Sequence, residues 1–260
     1  VILSHARYAD DDAITGARSL PEPNPRSRKG IGGFGIERHD GGADADRLGI
    51  GYVTVNVTLS FMRPGPSDKT LSFDYCGKTY YADRATLERL DRTMRFCAER
   101  DIVVSAIILI PKAGGFPGNL GRIFMHPDCD PSAIFTMANI TCPEGLDYYA
   151  AALDLLAERY SRENGEFGRV HHWIVHNEVD AGWVWTNAGP KPLRLYVDLY
   201  HKSMRVAHLI ARKYDRDAKA YASLTHHWTW AYDPRFFGSK EVLNSLAQFS
   251  TREGDFNWGI

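Results

Sequence analysis

Cysteine is scarce in this sequence: four of 260 residues, at positions 76, 97, 129 and 142, with no two in a C-x-x-C pair. Zinc ligation by paired thiolates is therefore disfavoured. Cys97 falls on the apolar stripe of an expected helix and reads as a buried thiol. Cys129 and Cys142 bracket a long loop and are candidates to pair in an oxidising compartment. No run of roughly 18 apolar residues occurs, so neither a spanning helix nor a membrane partner is expected. An excess of one charge is missing as well. Lys and Arg number 31 against 32 Asp and Glu, a net charge of −1, which gives no field to draw in nucleic acid or an anionic membrane. The chain opens on Val1 rather than methionine and is expected to be processed, excised or partial. Location stays open, with a secreted or periplasmic one favoured.

Two ligand motifs are absent. Gly30-Ile31-Gly32-Gly33-Phe34-Gly35 is glycine-rich but fits no G-x-G-x-x-G frame, and it lies within an expected strand instead of opening a helix. A dinucleotide site is therefore disfavoured. There is no H-E-x-x-H helix and no H-x-H on the first strand. No metal site and no cofactor are assigned.

What remains is the composition of a globular protein with a sizeable core: 44% hydrophobic, 24% charged and 12% aromatic, including six Trp and thirteen Tyr. Residues 1–29 are polar and proline-rich, as in Pro21-Glu22-Pro23-Asn24-Pro25, and predict an irregular lead-in. Over 30–260 an apolar run of strand length repeatedly precedes a loop and then a stretch of helical period.

Strands are predicted near 30–36, 51–58, 102–110, 170–178 and 218–225, with a sixth opening at 256–260. In the second, Val53, Val55 and Val57 alternate with Tyr52, Thr54, Asn56 and Thr58, so one face is apolar and the other polar. The third is continuously apolar, as in a strand covered on both faces. Residues 60–82 form an insertion with a hairpin around Gly77-Lys78. Helices are predicted over 83–100, from Leu146 to Tyr160, from Leu193 to Ala211 and over 239–250. This alternation gives an α/β fold with a parallel sheet, and a (β/α)8 TIM barrel is favoured over a doubly wound sheet. A barrel has eight strands, so the chain reads as truncated within the sixth.

The segment His171-His172-Trp173-Ile174-Val175-His176-Asn177-Glu178-Val179-Asp180 carries the most chemistry. Trp173 and Val175 form the apolar parity and should face the helical shell. His172, Ile174, His176 and Glu178 should then point into the barrel. A carboxylate at the carboxyl end of an inward parity sits where barrel enzymes do their chemistry; the bland alternative is a surface glutamate opening a loop. Asn56 on strand two could hold substrate or be a structural amide. His226, His227 and Trp228 follow strand five, and Trp183 and Trp185 follow Glu178. Their rings could stack on a pyranose or simply pack. These groups are expected to converge on one pocket at the mouth. The histidines His171, His172, His176, His226 and His227 leave a metal-dependent reading open.

The Asn177-Glu178 pair resembles the Asn-Glu signature of clan A retaining glycoside hydrolases. That resemblance implies a (β/α)8 barrel, with Glu178 as general acid/base and Asn177 holding the sugar 2-hydroxyl. The lead-in, the Val53-Thr54-Val55-Asn56-Val57 block and the Asn177-Glu178-x-x-x-Gly182-Trp183 segment look like a little-characterised domain-of-unknown-function family of glycosidase-like barrels. This likeness covers most of the chain. The clan's nucleophile is a second Glu after strand seven, which is not seen here. Asp180 is too close in sequence to replace it, and Glu241 begins a helix. The expected function is hydrolysis of O-glycosidic bonds in an oligosaccharide or glycoside, with retention implied by the resemblance. The alternatives are a metal-dependent barrel hydrolase using the histidines and a non-catalytic carbohydrate-binding barrel.

Overall fold

A computed structural model describes residues 17–38, 40–252 and 256–260. The first elements are β1 (Gly30–Ile31), α1 (Ala43–Leu48), β2 (Tyr52–Thr58), β3 (Met62–Arg63), β4 (Thr70–Tyr75) and β5 (Lys78–Asp83). Then come α2 (Arg84–Ala98), β6 (Val103–Leu109), α3 (Leu120–Phe124), α4 (Pro143–Tyr160), β7 (His172–Val175) and α5 (Gly182–Trp185). The chain closes with α6 (Leu193–Arg212), β8 (Ala220–Tyr221), α7 (Ser239–Arg252) and β9 (Trp258–Gly259).

Six strands form one sheet in the order β1-β2-β6-β7-β8-β9, and every neighbouring pair is parallel. Apart from β3, β4 and β5, which make a separate antiparallel sheet, this is simply chain order. A doubly wound sheet reverses its order about the first strand, and this one does not. The sheet is open: β1 and β9 are its edges. The fold is thus α/β with a parallel six-stranded sheet and helices.

Right-handed crossovers taken in unreversed order lay every helix on the same side. Accordingly, α2 packs on β6, α6 packs on β7 and β8, and α6 lies between α4 and α7. Val53, Val55 and Val57 of β2, Val104, Ala106 and Ile108 of β6, and Trp173 and Val175 of β7 are buried beneath this layer. The opposite face carries Thr54, Asn56, Ser105, Ile107, His172, Ile174 and Tyr221, none of them buried. In register, Asn56 lies beside Ile107, Ile107 beside Ile174, and Ile174 beside Tyr221. The third strand, read as covered on both faces, is therefore covered fully on one.

Caps and one buried ion pair fix the helices. Asp83 caps α2 by accepting from the Thr86 N–H at 2.9 Å. Asp91 of α2, 1% exposed, accepts two bonds from the Arg159 guanidinium of α4, at 2.7 and 2.6 Å, and one from the Tyr160 hydroxyl at 3.1 Å. Two parallel N–H···O bonds to one carboxylate set the spacing of those helices.

Four local expectations need correction. The first strand pairs only at Gly30–Ile31, because Gly33 (φ 65°) turns the chain, although Phe34 still donates to the Thr54 carbonyl. The fourth stops at Val175 rather than 178, because His176 adopts φ 61°. The fifth pairs as a strand only at Ala220–Tyr221. Cys129 and Cys142 are unpaired: Cys142 caps α4, its sulfur accepting from Gly145 N–H at 3.4 Å, while Cys129 bonds the Asp130 carbonyl. Cys97 is fully buried, and burial pushes its thiol up to about 12. Of the lead-in, residues 17–29 contain no helix or strand and the rest lie outside the described residues. Among the described residues no helix is long and apolar enough to cross a membrane.

Candidate functional site

Beyond Val175 the backbone twists twice into the left-handed region, at His176 (φ 61°) and Glu178 (φ 38°). For residues with a Cβ this costs about 1–3 kcal/mol each, and such strain persists only where the surroundings enforce it. The enforcing contacts come from beyond β8. Val179 N–H donates to the Ser223 carbonyl at 3.0 Å, and Glu178 N–H donates to the Ser223 hydroxyl at 3.4 Å. That hydroxyl in turn donates to Asn177 Oδ1 at 3.2 Å.

Asn177 and Glu178 are half-buried. The Glu178 carboxylate makes no hydrogen bond or ion pair with any described residue. With its Oδ1 engaged by Ser223, Asn177 keeps its amide N–H groups for another acceptor. An unengaged carboxyl group, at the carboxyl end of a parallel strand, can exchange a proton with a ligand to which the oriented Asn177 amide beside it donates a hydrogen bond.

Asp180, 1% exposed, holds the next loop in place. It accepts from Thr225 N–H at 2.9 Å, from Thr225 Oγ1 at 2.5 Å and from Ser239 Oγ at 2.7 Å. Its own carbonyl accepts from Phe237 N–H. One buried carboxylate thereby ties the loop after β7 to both ends of the loop after β8. Sequence reading missed Ser223, Thr225, Asp180 and Ser239 in this role. Only Ser239 carried a local signal, a helix-starting serine.

The other expected residues scatter. His176 is fully buried on the helical side, its Nε2 3.0 Å from the Ser203 hydroxyl of α6, and it does not point toward the open face. The strand parity that placed it inward ends at its own left-handed backbone. Asn56 lines a cavity of about 530 Å³ with Thr58, Leu109 and Phe135. Trp183 lines another of about 210 Å³ with Lys191, Tyr196 and Phe237, and the Arg235 guanidinium stands 5.2 Å from its ring centre. Trp228 lines a third, of about 670 Å³, on the open face with His172, Ile174 and Tyr221. Trp185 stacks on Phe135 at 5.5 Å. His226 is exposed, 4.1 Å from His227 between ring centres. Among the described residues Asn56, Trp183 and Trp228 thus line three different cavities, where one was expected, since an open sheet spreads its loop ends in a row, about 4.8 Å per strand.

The histidines do not gather either. His171 Nδ1 accepts from Val104 N–H, His172 Nδ1 pairs with the Ser105 hydroxyl, and His176 lies across the sheet. Among the described residues no three His, Cys, Asp or Glu side chains could hold a metal ion.

Burial holds His171 and His176 down at about 3 and His126 at about 4, against an ordinary 6.5. Between those values the unfolded chain binds protons that the fold refuses. Their contribution to stability is thus full above about pH 6.5 and lost progressively as pH falls toward about 3. The thermal midpoint is expected to drop between about pH 7.5 and pH 4.5, and His176→Gln, which cannot titrate, to flatten the slope. A midpoint unchanged over that range would contradict the neutral burial of these rings.

No curated protein matches this chain. The pattern of a family of unknown function, DUF5722, matches residues 21–260, nearly the whole sequence, and the chain belongs to that family.

Proposed function

We propose that the protein is a retaining glycoside hydrolase of clan A type, built on a (β/α)8 barrel of which these six strands are part. Glu178 serves as general acid/base and Asn177 holds the sugar 2-hydroxyl. The observation that carries this reading is the free Glu178 carboxylate after the fourth strand of a parallel sheet in chain order, beside an amide oriented by Ser223.

In this mechanism Glu178 gives its proton to the glycosidic oxygen as the bond from the anomeric carbon breaks. A second carboxylate takes that carbon's other face. Glu178 then removes a proton from water, which displaces the carboxylate. Asp180 is not that nucleophile, since its oxygens are already taken by Thr225 and Ser239. The nucleophile belongs to a strand beyond these six, as the resemblance implies. The metal-dependent alternative is weakened by the dispersal of the histidines. A carbohydrate-binding barrel without catalysis keeps the support of the exposed rings after β8.

Proton NMR of the first product formed from a panel of aryl and oligomeric glycosides tests the mechanism. Retention at the anomeric carbon is expected. Inversion would overturn the two-step route, and absence of turnover across the panel would favour the binding protein.

A further inference from the structure

The loop after β8 displays rings that the fold leaves uncovered. Among the described residues the only exposed tryptophans are Trp228 and Trp230, at 53% and 58%, and Tyr232 is exposed by 72%. Large exposed apolar side chains clustered in five consecutive residues mark a binding surface more often than chance scatter does.

These rings are braced. His227 lies 4.5 Å from Trp230 and 5.6 Å from Tyr232 between ring centres, nearly parallel to the latter at 18°. The backbone beneath is pinned: His227 O accepts from Ser239 N–H at 3.1 Å, and Trp228 O accepts from Lys240 N–H at 3.0 Å. Asp180 anchors the same loop through Thr225 and Ser239. A platform held this firmly loses little conformational freedom when a ligand lands on it.

Charge decides among occupants. Of the nearby ions, Asp233 and Arg235 bond each other at 2.8 and 2.7 Å, and the exposed Lys240 is matched by the adjoining exposed Glu241, so the loop has no cationic excess for a phospholipid or nucleic-acid backbone. What remains is flat apolar rings flanked by imidazole and hydroxyl groups, which suits the C–H face of a sugar whose hydroxyls need hydrogen-bond partners.

We infer that Trp230 and Tyr232, braced by His227, form a saccharide subsite separate from the Glu178 position, so that the ligand is a chain of several sugars. The inference rests on the carbohydrate reading above but not on catalysis. The test is affinity electrophoresis of the whole protein in gels containing hydroxyethylcellulose, xylan, laminarin or soluble starch. At least one polysaccharide is expected to retard the protein. Trp230→Ala and Tyr232→Ala are each expected to weaken that retardation roughly tenfold. Tyr232→Phe should keep most of it, and Leu195→Ala, an exposed apolar change on α6, should alter nothing. Trp230-dependent binding by the unaltered protein without turnover of the bound saccharide sinks only the hydrolase reading and leaves the subsite standing. Failure of all four polysaccharides to retard the protein overturns the inference. So does retardation indifferent to Trp230 and Tyr232, or Trp230-dependent flotation with phosphatidylcholine–phosphatidylglycerol vesicles in place of saccharide binding.

Discussion

Replacing Glu178 by Gln in the whole protein is expected to lower turnover of natural oligosaccharides roughly 10²–10⁴-fold, the usual contribution of a positioned general acid. Gln keeps the shape of the side chain and cannot deliver a proton. The backbone pins, from Ser223 to Glu178 N–H and to Val179 N–H, use main-chain donors and survive the change. Folding should therefore be unaffected, and circular dichroism melts of the two proteins should superimpose. A leaving group that needs little protonation, such as a dinitrophenolate, should suffer least in the first step. The measurement is kcat/KM for an aryl series of graded leaving-group pKa, with a steeper dependence for the variant. Unchanged turnover on oligosaccharides would reduce Glu178 to an ordinary loop carboxylate.

Asp180→Ala is expected to destabilise the fold by about 3 kcal/mol, because three donors lose a buried, charged acceptor at once. Ser239 Oγ retains the His227 carbonyl at 3.1 Å, but the Thr225 amide has no substitute. The loss should be local as well as global. Once unpinned, the loop between Thr225 and Ser239 should become cleavable by trypsin after Arg235, which is already at the surface. Urea unfolding measures the first effect and limited proteolysis the second. Asp180→Asn, which keeps an acceptor oxygen, should fall between. A variant within about 1 kcal/mol of the parent with no new cleavage would mean that the tie between the two loops contributes little.

Much of the scaffold was legible from neighbours in sequence. Val53, Val55 and Val57 state the buried face of β2 by alternation alone, and the continuous apolar run over 102–110 marks β6. Leu87, Leu90, Met94 and Cys97 give α2, and Pro192 gives the start of α6. The candidate site was legible only in part. Glu178 was singled out because it ends a predicted strand, which in fact stops at Val175, and the direction of His176 was misread. Parity arguments assume that the strand continues, and here the backbone turns left-handed first.

Residue order by itself determined that strands and helices alternate, that the strands are buried on at least one face, and that Asn177 and Glu178 stand at the carboxyl end of the fourth of them. These are properties of a two-residue or 3.6-residue period, read within a few neighbours. Tertiary structure alone decided that the sheet stays open and that His176 joins the helical layer. It also decided that Cys142 caps a helix instead of pairing, and that Asn56, Trp183 and Trp228 line separate cavities. Asp180 shows the physical reason most directly: its partners Thr225 and Ser239 lie 45 and 59 residues away. A contact across that separation leaves no periodic trace in the chain and exists only once β7 and β8 lie side by side.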